Sequence, residues 1–293
     1  MTSDATRARL LGRTLADLAE TPDELLAALR AAGTSESSTA AALRPVAETL
    51  ARALDEGSPT LALSLAQRLA VEPARDARLI ALRVLRRPLA ADPERAWQLL
   101  RRIGREADDP ALQPALADLL ARGVLAERFR WAELEQLVYS DRAHERALVG
   151  AAIARIPAVL PRAARASWDP APALALIGEL IGDADPLVRR SLARALRVAA
   201  RQDPGVAGAW LAAEAELAAE GPDANRAVVV RQALTALPDR PAAAIRVRIA
   251  GVRRRPGPPS TSRAAAIANR FGLAAHADRA ISQQGERFLG RGA

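Results

Sequence analysis

The chain has 293 residues, with 42 basic against 34 acidic side chains for a net charge of +8, and every basic residue is arginine. Aromatics supply 3% and cysteine is absent, which excludes disulfides, thiolate chemistry and cysteine-ligated metal and argues against aromatic-rich β-sandwiches. The length exceeds what one compact core usually sustains, so two domains or an elongated array of repeats is expected. In chain order, Met1 to Ala5 shows neither a basic nor an apolar leader region, and no secretory signal is expected. No apolar run approaches the roughly 18 residues of a membrane span, so the reading is a soluble, cytoplasmic, monomeric protein. Residues 1–38 read as an N-terminal helical pair or cap. Within this segment and just past it, residues 33–40 (GTSESSTA) look like a flexible join.

From residue 39 to 252, apolar residues recur at helical spacing with no convincing period-2 alternation. Four segments that follow an aspartate-containing turn line up. Asp109 leads into the helix bearing Leu116, Leu119 and Leu120, and Asp141 into that of Leu148, Val149 and Ile153. Asp183 leads into that of Val188, Leu192 and Leu196, and Asp223 into that of Val228 to Leu234. The starts are 32, 42 and 40 positions apart, the interval of paired-helix repeats. Each aspartate is expected to cap the second helix of its pair. The pattern resembles HEAT repeats, which implies an all-α solenoid, a right-handed α-α superhelix.

The segment 187–202 carries the most pronounced charge pattern. Val188, Leu192, Ala195, Leu196 and Ala199 form one helical face, and Arg190, Arg194, Arg197 and Arg201 lie opposite, with no acidic residue in the stretch. Like charges one turn apart cost about 0.2–0.5 kcal/mol per pair, so an uncompensated stripe points to an outside anion, and phosphate is the natural one. A solvated face neutralised by Glu179 or Asp169 is the plainer alternative. Arg146 and Arg231 begin the equivalent helices on either side. His144, just before Arg146, reads as a surface residue, and neither it nor His276 suggests a metal site; no cofactor motif is present.

Residues 253–293 form a separate basic segment, expected to be partly disordered, with one helical candidate from Arg263 to Gly272. Eight arginines against Asp278 and Glu286 give it +6, which leaves the first 252 residues only +2. The high overall charge is therefore no argument for nucleic acid by itself. The run Arg253 to Arg255 reads equally as DNA affinity or as a solubilising tail.

Three stretches in the middle are similar to the DNA alkylation repair family, the AlkD-like HEAT-repeat glycosylases. They are Arg75 to Leu85, Glu145 to Val149 and Asp185 to Pro204 (DPLVRRSLARALRVAARQDP), within a likeness over roughly residues 60 to 240. The resemblance implies an electropositive groove holding duplex DNA by its backbone. It also implies excision of a cationic alkylated base with an aspartate, an arginine and two tryptophans. Carried over, the aspartate falls on Asp118 and the arginine on Arg146, while Pro114 and Arg194 stand where the tryptophans are expected. The catalytic pair that the resemblance implies is thus Asp118 and Arg146, and with the charge pattern of 187–202 and its flanking helices the expected DNA contacts are Arg146, Arg189, Arg190, Arg194, Arg197, Arg201 and Arg231. Of the four tryptophans (Trp97, Trp131, Trp168 and Trp210) none falls at a family position, and Trp131, one turn before Glu135, reads as a core filler or a substitute wall. The alternative function is a non-enzymatic repeat scaffold for a protein partner.

Overall fold

The structure is a computed structural model. It describes residues 4–18, 21–31, 40–55, 58–106, 108–221, 223–252 and 262–270. The join at 33–40 lies outside them apart from Ala40, as do Arg253 to Arg255 and His276. The described residues are helical with no strand, and the chain is an all-α helical-repeat protein. It divides into two compact units, residues 1–130 and 131–293.

The first unit runs α1 (Asp4–Asp17), α2 (Pro22–Ala31), α3 (Ala40–Asp55), α4 (Pro59–Ala70), α5 (Arg75–Val84), α6 (Pro88–Ala91), α7 (Pro93–Glu106) and α8 (Gln113–Ala126). Helices α1, α3, α5 and α8 lie side by side in one layer, with α2, α4, α6 and α7 forming the other. The tightest packing is of ring on backbone. Trp97 of α7 is fully buried over Gly123 of α8, where any Cβ would strike the indole. Arg130, also buried, stacks its guanidinium on Trp97 at 5.0 Å and on Phe129 at 4.5 Å while pairing with Glu94 and Glu127. A charge enters this core because two carboxylates and two rings solvate it together.

The chain continues with α9 (Arg130–Val138). The second unit then holds α10 (Ala143–Val159), α11 (Arg162–Arg165), α12 (Ala171–Leu180), α13 (Pro186–Gln202), α14 (Pro204–Glu220), α15 (Ala224–Ala233), a 3₁₀ turn (Leu234–Ala236) and α16 (Asp239–Arg248). Helices α10, α13 and α15 form one layer, and α12, α14 and α16 pack behind them. Contact between α10 and α13 is close because Gly150 faces Ser191, where a Cβ would come within 2.8 Å of the Ser191 carbonyl carbon. Ser191 Oγ donates to the Ala147 carbonyl across the same seam. The α13 face foreseen as apolar is the buried one: Val188, Leu192, Ala195, Leu196 and Ala199 are all fully enclosed.

The capping aspartates fall in a different pattern from the one expected. Asp223 does cap α15, accepting from Arg226 N at 3.0 Å. Before α13 that role passes to Asp185, which accepts from Leu187 N at 2.7 Å, while Asp183 accepts from Asp185 N at 2.8 Å. Asp109 closes a turn on Ala111 N at 2.8 Å, three residues ahead of the N-cap position of α8, which Leu112 occupies. Before α10 the amide of Arg142 is held by Ser140 Oγ rather than by Asp141. Pro186 follows Asp185 directly and pre-sets the first helical φ, so the residue beside the proline is the one placed to cap.

Residues 263–270 form a short helix, within the candidate foreseen at 263–272, and it is docked. Gly182 N donates to Ser262 Oγ at 3.2 Å, and Ala184 N donates to Asn269 Oδ1 at 2.7 Å. Asn269 Nδ2 returns a bond to the Gly182 carbonyl at 3.1 Å. The turn ahead of α13 is thereby clamped from outside the repeat.

Candidate nucleic-acid interface

Arginines on the α10–α13–α15 layer divide into two sets by what their guanidinium groups touch. In the first set each reaches forward to the next repeat. Arg146, 4% exposed, donates from Nε to Asp183 Oδ2 at 2.7 Å and from Nη1 to the Ser140 and Asp141 carbonyls at 2.9 and 3.1 Å. Arg189 donates to the Ala184 carbonyl and to Asn225 Oδ1 at 3.3 Å. Arg231 donates from Nη2 to the Ile249 and Val252 carbonyls at 2.8 and 2.7 Å. These three are rungs of one ladder, and their positions recur 43 and 42 residues apart, the period of the repeat itself. Burial lowers the pKa of Arg189, with Asp183 and Asp185 opposing and Arg190 adding to the drop. It remains a cation, as arginine does throughout proteins.

Arg226 anchors a further buried cluster behind this row. It pairs with Glu214 and with Asp223 at 3.5 Å, and donates to Ser262 Oγ at 2.9 Å. Burial raises the Glu214 pKa against the pull of Arg226 and its hydrogen bond, and Asp223 pushes it further up.

The second set lies on α13 alone. Arg190, Arg194 and Arg201 are exposed and, among the described residues, make no hydrogen bond or ion pair. Arg197, half-buried on the same stripe, donates from Nη1 to the Gln232 carbonyl at 3.2 Å. With α10 and α15 on the flanks and α12 and α14 behind, the stripe looks out from the open side of the layer. Helices α10, α13 and α15 contain a single carboxylate, Glu145, and it is buried. Neither acid weighed as a neutraliser forms an ion pair with the stripe: Glu179 accepts from Tyr139 Oη at 3.2 Å and Asp169 from Ala171 N at 2.9 Å. Burial and that glutamate together raise the Tyr139 pKa.

Asp118 belongs to the first unit, on α8. Arg122 Nε, one turn on, donates to its Oδ2 at 2.9 Å, and the carboxylate is 16% exposed. Pro114 occupies the first turn of the same helix. Trp97 is enclosed and serves the core, whereas Trp131, Trp168 and Trp210 are half-buried. His144 is half-buried at the start of α10. Among the described residues no group of three histidines, cysteines or carboxylates is placed to hold a metal.

A family model described as DNA alkylation repair enzyme matches residues 37–237. The chain belongs to this family. Membership supports a DNA-repair-related function, and the matched span runs from the approach to α3 through the 3₁₀ turn after α15. Asp118, the ladder arginines and the α13 stripe all fall inside it. No curated protein and no solved structure matches the chain.

The ladder was not foreseen, and sequence reasoning grouped Arg146, Arg189 and Arg231 with the stripe. A signal for separating them was present. Arg146, Arg189 and Arg231 recur at the spacing of the repeat, whereas Arg190, Arg194, Arg197 and Arg201 repeat only with the turn of one helix.

Proposed function

We propose that the open face of α13 holds the phosphate backbone of duplex DNA, with Arg190, Arg194 and Arg201 as the contacts and Arg197 beside them, in the service of alkylation repair. Phosphate contacts position a protein on a duplex without reading sequence, and arginine's fork suits them. The observation that carries this reading is three exposed guanidinium groups without partners among the described residues, on a layer whose one carboxylate is buried. Arg146, Arg189 and Arg231 take a positioning role, since their guanidinium groups are engaged on Asp183, on Asn225 and on backbone carbonyls. The HEAT type of repeat fits the alternation of helices between two layers in each unit.

The chemistry proposed for the family member is removal of an alkylated base, with Asp118 stabilising positive charge as the glycosidic bond breaks. Arg122 keeps that carboxylate paired until substrate arrives. Affinity for a duplex of random sequence, measured across a salt series, tests the binding. A log–log slope steeper than about −2 is expected from three phosphate contacts. A flat response would remove the DNA face and leave a repeat scaffold for a protein partner. Release of bases from methylated duplex, present in the parent and lost in Asp118→Asn, tests the chemistry. Release undiminished in Asp118→Asn refutes the role of Asp118.

A further inference from the structure

A second gathering of arginines lies in the first unit, around a pocket of about 500 Å³ between the last turn of α3 and the end of α5. Its wall carries Arg52, Arg83, Arg86 and Arg87, and among the described residues Glu48 is the only carboxylate lining it. Arg87 donates to the Leu54 carbonyl at the end of α3, which fixes the wall in place. The other three have no hydrogen bond or ion pair among the described residues. Arg52 and Arg86 are exposed, and Arg83 is half-buried in the last turn of α5. Helices α3 and α5 are packed neighbours of one layer, so the repulsion between these cations is built into the fold.

We propose that this pocket binds the phosphate chain of a free oligophosphate, a triphosphate in the first instance. Its volume falls within the ~300–1,000 Å³ of small-molecule sites. Three guanidinium forks converging from different backbone positions match a compact ligand with several negative oxygens, and each can bond two of them. No aromatic residue lines the pocket among the described residues, so nothing there stacks on a nucleobase. Recognition rests on the phosphate chain, whether inorganic or part of a nucleotide. The pocket shares no residue with the α13 face and is formed within the first unit, so substitutions address the two sites independently.

Calorimetry on the full chain with tripolyphosphate, ATP and citrate, without divalent metal and at low salt, tests the assignment. Tripolyphosphate and ATP should bind within a few-fold of each other and citrate much more weakly. Arg52→Gln, Arg83→Gln and Arg86→Gln should each weaken tripolyphosphate about tenfold or more. The same variants should leave duplex affinity and its salt slope unchanged, and Arg190→Gln/Arg194→Gln/Arg201→Gln should leave tripolyphosphate binding unchanged. Absence of tripolyphosphate binding by the parent overturns the proposal. Citrate binding as tight as tripolyphosphate, or ATP tighter by more than tenfold, overturns the assignment to a phosphate chain. Loss of duplex binding in the pocket variants would make the pocket part of a DNA footprint and overturn its separate role.

Discussion

Replacing Arg190, Arg194 and Arg201 together by glutamine removes three cations that have no partner among the described residues, on a surface without exposed carboxylates from α10, α13 or α15. Each phosphate neutralised contributes about 0.9 to the slope of log affinity against log salt, so the triple variant should lose about 2.7 of it. Between 50 and 200 mM salt that difference amounts to about 40-fold in affinity, well within reach of fluorescence anisotropy with a labelled duplex. Stability should move the other way. Arg190 and Arg194, like Arg197 and Arg201, stand one turn apart, as do Arg194 and Arg197. Relieving each pair is worth about 0.2–0.5 kcal/mol, so the variant should melt at or slightly above the parent. Weaker binding together with an unlowered melting temperature is the signature of a ligand-facing stripe. An unchanged salt slope refutes the reasoning, and a lower melting temperature would mean that the arginines serve the fold instead.

Arg146→Met should behave oppositely, costing about 3–5 kcal/mol in urea unfolding because Asp183, 1% exposed, is left as an unpaired buried charge. Adding Asp183→Asn should restore part of that loss, which a double-mutant cycle reads directly. Glu94 is held below its ordinary value of 4.5 by hydrogen bonds from Gln98 and Arg130. Its contribution to stability is therefore present above that value and lost as pH falls through the depressed one, so the difference between parent and Glu94→Gln should close in acid. Asn269→Ala should leave the Ala184 amide and the Gly182 carbonyl without their partners, costing about 1–3 kcal/mol and speeding hydrogen exchange at Ala184. Gly150→Val should overpack the α10–α13 seam by about 1–3 kcal/mol, visible as a lower melting temperature.

Helix content and the alternation of helices were legible because they rest on local periodicity. The buried face of α13 could be read residue by residue from the spacing of Val188, Leu192, Ala195, Leu196 and Ala199. Its opposite face was legible for the same reason, since exposure on a helix follows from what lies 180° away. Asp183 and Arg146 were harder. Their pairing joins residues 37 positions apart, and nothing in either local sequence says whether an arginine points to solvent or to the next turn. The burial of Arg130 escaped altogether, because half of its environment, Glu94 and Trp97, comes from α7 some 35 positions away and only Glu127 and Phe129 are its chain neighbours. The pocket arginines were passed over because Arg83, Arg86 and Arg87 look like ordinary helix-end cations, and only packing brings Arg52 beside them.

The clamp on Gly182 and Ala184 has a consequence for how the chain is made. Ser262 and Asn269 emerge from the ribosome some 80 and 85 residues after the backbone groups they bind. Domains form vectorially during synthesis, at about 5–20 residues per second, so α10 and α13 can pack while the loop joining α12 to α13 still waits for its last partners. The nascent chain therefore passes through a period in which the loop carrying Asp183 is held from one side only. Anything that removes the segment bearing Ser262 and Asn269 returns the folded protein to that half-fastened condition.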